Sequence, residues 1–381
     1  MGRRAVAALT AGTVAGLMAS TLMPVLLADY RRDLALSRSQ AGLVATAALL
    51  AAAMAAFAAI RPLSRRNPRP VGTAALLLAA VGFLLAAALP GWQGLTAGQV
   101  VAGIGSGVAG ATANAAVAVT PDPDRMTALA MFWSTLMIAA LLAALPPLTS
   151  AGGRAGSFAM LGLVCLLLAP LSRWLPRASG RLACGSRGPR RQDAMLLLCA
   201  GAIFTAGESG LWALSAEIAA DQAGMSTGVA AAVLSGAVLA GMPASLAVAR
   251  LADRYRRMGP LLVTIVIGTL CKVVFAVTAS PVLFTVAQLV WGAVIVASLT
   301  YLVVAAAVLD VRGRWAAAMA GALSLGGAVG PALTGVVDEA SGHRALAVLE
   351  LAMAAAVVGM LLLMGPAARR GGEPATERIT A

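Results

Sequence analysis

Charged side chains are scarce in this chain: they make up 11% of 381 residues, less than half the usual share of about 25% in soluble proteins. A globule of this size cannot be covered with so little polar surface, which excludes a soluble enzyme, a disordered tail protein and a fibrous chain. Lysine occurs once, as Lys272, and it follows Cys271 inside an apolar run. A phosphate-binding loop needs Gly-Lys-Ser/Thr, so ATP hydrolysis on this chain is excluded. Histidine also occurs once, as His343, which removes a histidine metal cluster and a Ser-His-Asp triad. The four cysteines, Cys165, Cys184, Cys199 and Cys271, have no paired spacing, so neither a disulfide framework nor a zinc site is expected. Gly105-Ser106-Gly107-Val108-Ala109-Gly110 fits a dinucleotide pattern, but no strand precedes it and no acid follows it. It reads as a small-residue packing face in a membrane helix. Neither a cofactor nor a metal is expected.

What remains is apolar and basic: 60% hydrophobic residues with a net charge of +13. A bilayer core takes about 20 apolar residues per helix, and the sequence contains twelve such runs. They lie at about 5–28, 40–60, 71–89, 94–119, 126–149, 155–174, 194–218, 227–249, 259–279, 282–309, 315–337 and 343–365. Connections as short as Pro90-Gly91-Trp92 and Ser280-Pro281 make neighbouring spans antiparallel. When the loops are assigned alternately to two sides, 22 of the 27 arginines fall on the side of the N-terminus. Only Arg31, Arg32, Arg38, Arg154 and Arg344 fall on the other. The excess of arginine on cytoplasmic loops then places both termini in the cytoplasm of a cell-membrane protein. The basic charge marks a membrane face, and nucleic acid is not an expected partner. Met-Gly-Arg-Arg opens a run too long for a signal peptide, so it is read as the first span.

The chain repeats itself. LSRSQAGLVATAALLAAAMAAFAAIRPLSRR from Leu36 to Arg66 matches MSTGVAAAVLSGAVLAGMPASLAVARLADRY from Met225 to Tyr255 in length and hydropathy, at an offset of 189. The same offset carries Thr46 onto Ser235, Gln99 onto Gln288, Gly103 onto Gly292 and Arg125 onto Arg314. The expected organisation is a six-helix half over 1–175, a cytoplasmic linker over 176–193, a second half over 194–367 and a cytoplasmic tail over 368–381. An even number of helices per half makes this a parallel duplication, with a cavity near the bilayer midplane between the halves.

These features resemble the major facilitator superfamily, whose signature between the second and third helices is Gly-x-Leu-x-Asp-Arg-x-Gly-Arg-Arg. The second half carries it as Ala249-Arg250-Leu251-Ala252-Asp253-Arg254-Tyr255-Arg256-Arg257. The first half has a decayed copy, Arg61-Pro62-Leu63-Ser64-Arg65-Arg66-Asn67-Pro68-Arg69, with Ser64 in place of Asp and Asn67 in place of Gly. Asn tolerates positive φ, so a left-handed turn at Asn67 is compatible with the motif. The resemblance implies a gating role for Ser64, Arg65, Asp253, Arg254 and Arg257. The family's fourth-helix arginine is replaced by Gln99, and by Gln288 in the second half. Gly326-x-x-x-Gly330-Pro331 in the eleventh span is similar to a motif of the family's antiporters. The implied fold is all-α, with twelve membrane helices in two pseudo-symmetric six-helix halves.

Ionisable groups inside a membrane are functional candidates. Glu208 lies fourteen residues into the seventh span, within Gly207-Glu208-Ser209-Gly210. The flanking glycines predict local unwinding beside the cavity, and a buried acid suits proton coupling. Lys272 and Glu350 lie at similar depths in the ninth and twelfth spans and are expected to form a structural ion pair. Candidate substrate contacts are Ser20, Thr21, Thr46, Asn114, Trp133, Ser209, Trp212, Ser235, Tyr301 and Ser324. Trp92 and Trp174, near span ends, read as interfacial anchors.

The function expected is secondary active transport of a small cationic or neutral amphipathic molecule by alternating access. Protons or another coupling ion would drive it, and efflux is favoured by the eleventh-span motif. The absence of arginine from the span interiors disfavours phosphates and dicarboxylates. The alternatives are an uptake symporter for a small neutral or aromatic nutrient and a non-transporting membrane sensor or scaffold. Besides its substrate and the bilayer no partner is expected, and the chain is read as a monomer.

Overall fold

The computed structural model describes residues 3–63, 67–117, 120, 123–176, 191–251, 258–309 and 314–365. The gating-motif residues Ser64, Arg65, Asp253, Arg254 and Arg257 lie outside them, as do most of the linker and the tail. The described residues form helices α1 (Arg3–Thr21), α2 (Met23–Leu34), α3 (Arg38–Leu63), α4 (Pro68–Ala88), α5 (Gly91–Val117) and α6 (Pro123–Leu168). A short 3₁₀ turn (Ala169–Trp174) follows. Then come α7 (Arg191–Asp221), α8 (Thr227–Leu251), α9 (Met258–Val277), α10 (Pro281–Leu309), α11 (Arg314–Ser341) and α12 (His343–Leu363).

Three of the twelve spans depart from one separate straight helix per span, for local reasons. The first comprises α1 and α2, bent by 50°. Pro24 has no N–H to offer the Ser20 carbonyl, and the Val25 N–H bonds Leu22 O instead of Thr21 O. This span also runs to Leu34, beyond the expected end at 28. The fifth and sixth spans are the two arms of α6, joined at Gly153, whose φ of 56° and ψ of −156° lie outside helical space. Residues eight apart in a straight helix are separated by about 12 Å along the axis, yet the Thr149 and Ser157 hydroxyls stand 2.6 Å apart. The chain therefore reverses between them. Asn67 differs from expectation: its φ is −62° and its side chain accepts from the Arg69 N–H at 3.2 Å. It caps α4, with Pro68 opening the helix, and no left-handed turn is required of it.

The duplication is visible at atomic contacts. A Cβ at Gly103 would lie 2.2 Å from Ala48 O, and a Cβ at Gly292 would lie 2.2 Å from Ala237 O. Each pair maps onto the other at the offset of 189, so α5 crosses α3 as α10 crosses α8. The partners diverge at Gln99, which donates to the Tyr30 hydroxyl at 2.8 Å. Position 219, equivalent to Tyr30, is alanine, and the buried Gln288 amide has no hydrogen-bond partner among the described residues. After α6, Arg173 stacks over the Trp174 ring at 4.5 Å.

The halves meet along α3 and α11, through α6 and α8, and where α2 packs on α7. Contact between α1 and α7 is sparse, and α5 and α10 do not pack on each other to any extent among the described residues. The first and seventh spans are thus drawn together at their C-terminal ends, through α2.

Candidate functional site

Glu208, Lys272 and Glu350 come together inside the second half. Lys272 Nζ on α9 donates to Glu208 Oε1 on α7 at 2.7 Å and to Glu350 Oε2 on α12 at 2.5 Å. Trp291 on α10 donates its indole N–H to Glu208 Oε2. All four side chains are buried, with exposures of 1–4%. Glu350 Oε1 has no hydrogen-bond partner among the described residues. It borders a crevice lined by Gly207, Thr269 and Met353. Two carboxylates face one ammonium, so the fully ionised cluster holds one excess negative charge in a medium that solvates charge poorly. It becomes neutral by binding one further proton.

This placement corrects the expectation of an unwound, cavity-lining acid. α7 is continuous from Arg191 to Asp221. Its glycines serve packing: a Cβ at Gly207 would lie 2.9 Å from the Glu350 carboxylate, and one at Gly210 would lie 2.6 Å from Gly330 O. The opening of a helix occurs in the first span instead, where Pro24 removes a donor.

Prolines elsewhere free carbonyls that α7 uses. Pro331 cannot donate to Gly327 O, and Ser209 Oγ takes that carbonyl at 2.7 Å. Trp212 Nε1 donates to Thr21 O at 3.0 Å, the carbonyl left without its usual helical donor at the break in the first span. Thr46 Oγ1 accepts from the Ala332 N–H at 3.1 Å. Ser20 and Ser235 donate to carbonyls of their own helices, Leu17 O and Ala231 O. Tyr301 is buried among Leu197, Ala200, Ile265 and Met319. Asn114, Trp133 and Ser324 are exposed. The substrate candidates therefore do not converge on one constellation: several are spent on packing or on joining helices.

At the end of the bundle that holds Leu34 and Asp221, charges cross between the halves. Arg38 on α3 faces Asp338 on α11 at 3.1 Å and Asp221 on α7 at 2.7 Å. Arg31 on α2 pairs with Glu217 on α7. His343 Nδ1 lies 2.6 Å from Asp338. The Ser39 N–H, 2.7 Å from Glu339, holds that exposed carboxyl below its usual range. A cavity of about 170 Å³ opens beside these pairs, lined by Asp29, Arg31, Pro146, Thr149, Glu217 and Thr227. Asp29 is buried and accepts from Thr149 at 3.0 Å and from Ser157 at 3.2 Å. Sequence reasoning missed Asp29 because it falls just past the expected span. It missed this latch because its members are scattered over four helices, α2, α3, α7 and α11, although Arg31 and Arg38 already stood out as cations on the arginine-poor side. For Trp291, the signal in the sequence is an indole N–H inside an apolar span, which needs an acceptor when buried.

Among the described residues no group of His, Cys, Asp and Glu is arranged to hold a metal. No curated protein sequence matches the chain. Solved structures similar to it include the nucleoside transporter NupG in a mutant form, at 13% identity and a TM-score of 0.76, covering 95% of this chain and 99% of that one. A D-xylose–proton symporter has 14% identity and a TM-score of 0.76, over 97% and 99% of the two chains. A bacterial homologue of the human lysosomal transporter Spinster, inward-facing and occupied, has 16% identity and a TM-score of 0.73, over 94% of each chain. At these identities the likeness is one of fold. The family model described as Major Facilitator Superfamily matches residues 8–190 and 197–381. The protein is thus a multi-pass membrane transporter rather than an enzyme, and the chain belongs to the major facilitator superfamily.

Proposed function

We propose that the protein exports a small cationic or neutral amphipathic molecule across the cell membrane in exchange for protons, with both termini in the cytoplasm. The carrying observation is the Glu208–Lys272–Glu350 cluster, whose two carboxylates share one ammonium at 2.7 and 2.5 Å. Ionisable groups inside a bilayer are costly and mark functional sites by default, and this cluster has room for a single extra positive charge. The arginine distribution supports the orientation. The absence of arginine from the span interiors supports cationic or neutral cargo. Gly326 and Gly330 of the antiporter-like motif, whose Cβ positions would meet Ala202 O and Ala206 O of α7 at 2.0 and 2.3 Å, support export. They bring the motif onto the helix that carries Glu208.

A second reading is a proton symporter for a small neutral solute, favoured by the likeness to the D-xylose–proton symporter. Inverted membrane vesicles with an acidic lumen separate the two. Export predicts that ethidium or tetraphenylphosphonium accumulates in the lumen and is released when nigericin collapses the pH gradient. Symport predicts no accumulation of either, and proton-driven entry of xylose or uridine into vesicles of the opposite orientation.

A further inference from the structure

We infer that Trp212 is the positioning residue through which the charge state of the buried cluster reaches the first half, an inference that rests on the proton-coupled reading above. Glu208 and Trp212 are one helical turn apart on the same face of α7. The indole of Trp291, bonded to Glu208, meets the Trp212 ring edge-on at a centroid distance of 5.7 Å and an interplanar angle of 63°. On its other side Trp291 stacks on Phe275 at 5.2 Å, and Phe275 packs against Phe284 at 5.5 Å. The Trp291 ring is therefore held between aromatic neighbours, and a change at its N–H is passed to Trp212. Trp212 in turn donates to Thr21 O at 3.0 Å. That carbonyl is available because Val25 bonds Leu22 O and Pro24 has no N–H, so the indole grips the first span at its 50° break.

The chain of contacts is continuous: Glu208, Trp291, Trp212, Thr21. The titratable groups facing Glu208 are Lys272 from α9 and Glu350 from α12. The α10 neighbour, Trp291, does not titrate. A hydrogen bond to a carboxylate is about twice as strong as one to a neutral acceptor. When the cluster takes up its proton, the hold of Glu208 on the Trp291 N–H weakens, the ring pair relaxes, and the Trp212 grip on the first span loosens. Proton binding in one half thereby changes a bond to the other at the point where the first span can bend.

Trp212→Phe keeps the ring and removes the donor. In proteoliposomes the number of protons moved per molecule of ethidium should fall at least about fivefold from the wild-type value, and the pH profile of transport should flatten. Trp291→Phe should do the same, and the double variant should be no worse than either, as two links of one chain require. A wild-type ratio and pH profile in Trp212→Phe would overturn the inference. Should the variant fold poorly, the wild-type protein with ¹⁵N-labelled indoles provides the second test. The Trp212 N–H resonance should move with pH, and stand still in Glu208→Gln; no movement in the wild type overturns the relay. Transport by the wild type without any proton movement would instead remove the proton-coupled reading itself.

Discussion

Arg38 and Asp338 face each other at 3.1 Å across the boundary between the two halves, with the Asp338 side chain fully buried. Arg38 also lies within reach of Asp221 and Glu217, so one guanidinium gathers three carboxylates of the second half. Arg38→Gln takes the guanidinium from Asp338 Oδ2, leaving His343 on the other oxygen, and should favour opening at this end by roughly 1–3 kcal/mol, the cost of leaving a buried acceptor unpaired. Spin labels at these ends of α3 and α11 should report a larger share of long distances than in the wild type. An unchanged distribution would show that the latch does not hold the halves together.

The buried cluster separates stability from coupling. Lys272→Met leaves Glu208 and Glu350 without their ammonium, and removal of one partner of a buried pair costs about 3–5 kcal/mol. A large loss of thermal stability in detergent is expected. The triple variant Glu208→Gln, Lys272→Met, Glu350→Gln removes all three charges and should recover most of that stability, while transport no longer moves protons. Exchanging the charges of Lys272 and Glu350 should rescue expression only in part, because Glu208 would then face a carboxylate at position 272. Full rescue would mean that Glu208 does not share the ammonium.

The repeat predicts matched sensitivities. Gly103→Ala and Gly292→Ala each place a Cβ 2.2 Å from a backbone carbonyl, Ala48 O and Ala237 O. A helix backbone cannot yield as a side chain does, so both substitutions should destabilise by about 1–3 kcal/mol through overpacking. Gly259→Ala, with nothing within 4 Å of its Cβ position, should be neutral by the same thermal assay.

Much of the architecture was readable in one dimension. Hydropathy runs and turn residues define spans because a bilayer sets their length, and the 189-residue offset that aligns Gly103 with Gly292 recurs as equivalent helix crossings. The depths of Lys272 and Glu350 follow from counting residues. What counting does not show is which way a side chain faces in a helix apolar on every side. The convergence of Glu208 on Lys272, and the donation by Trp291, depend on helix rotation set by packing at Gly207 and Gly210. The break in the first span had a signal in Pro24, but the glycines around Glu208 drew the expectation to the seventh. A glycine there makes room for Glu350 and α11 without opening the helix. The latch joins residues from both halves, and no local pattern in a sequence relates Arg38 to Asp338.

The central claim is that the cluster around Glu208 carries the coupling proton, and it is tested most directly by substrate-driven pH change in proteoliposomes loaded with a pH-sensitive dye. Wild type should move protons against the flow of ethidium, and Glu208→Gln, whose cluster is already neutral with Lys272 and Glu350, should transport without moving them. Proton flux in Glu208→Gln equal to that of the wild type would contradict the account.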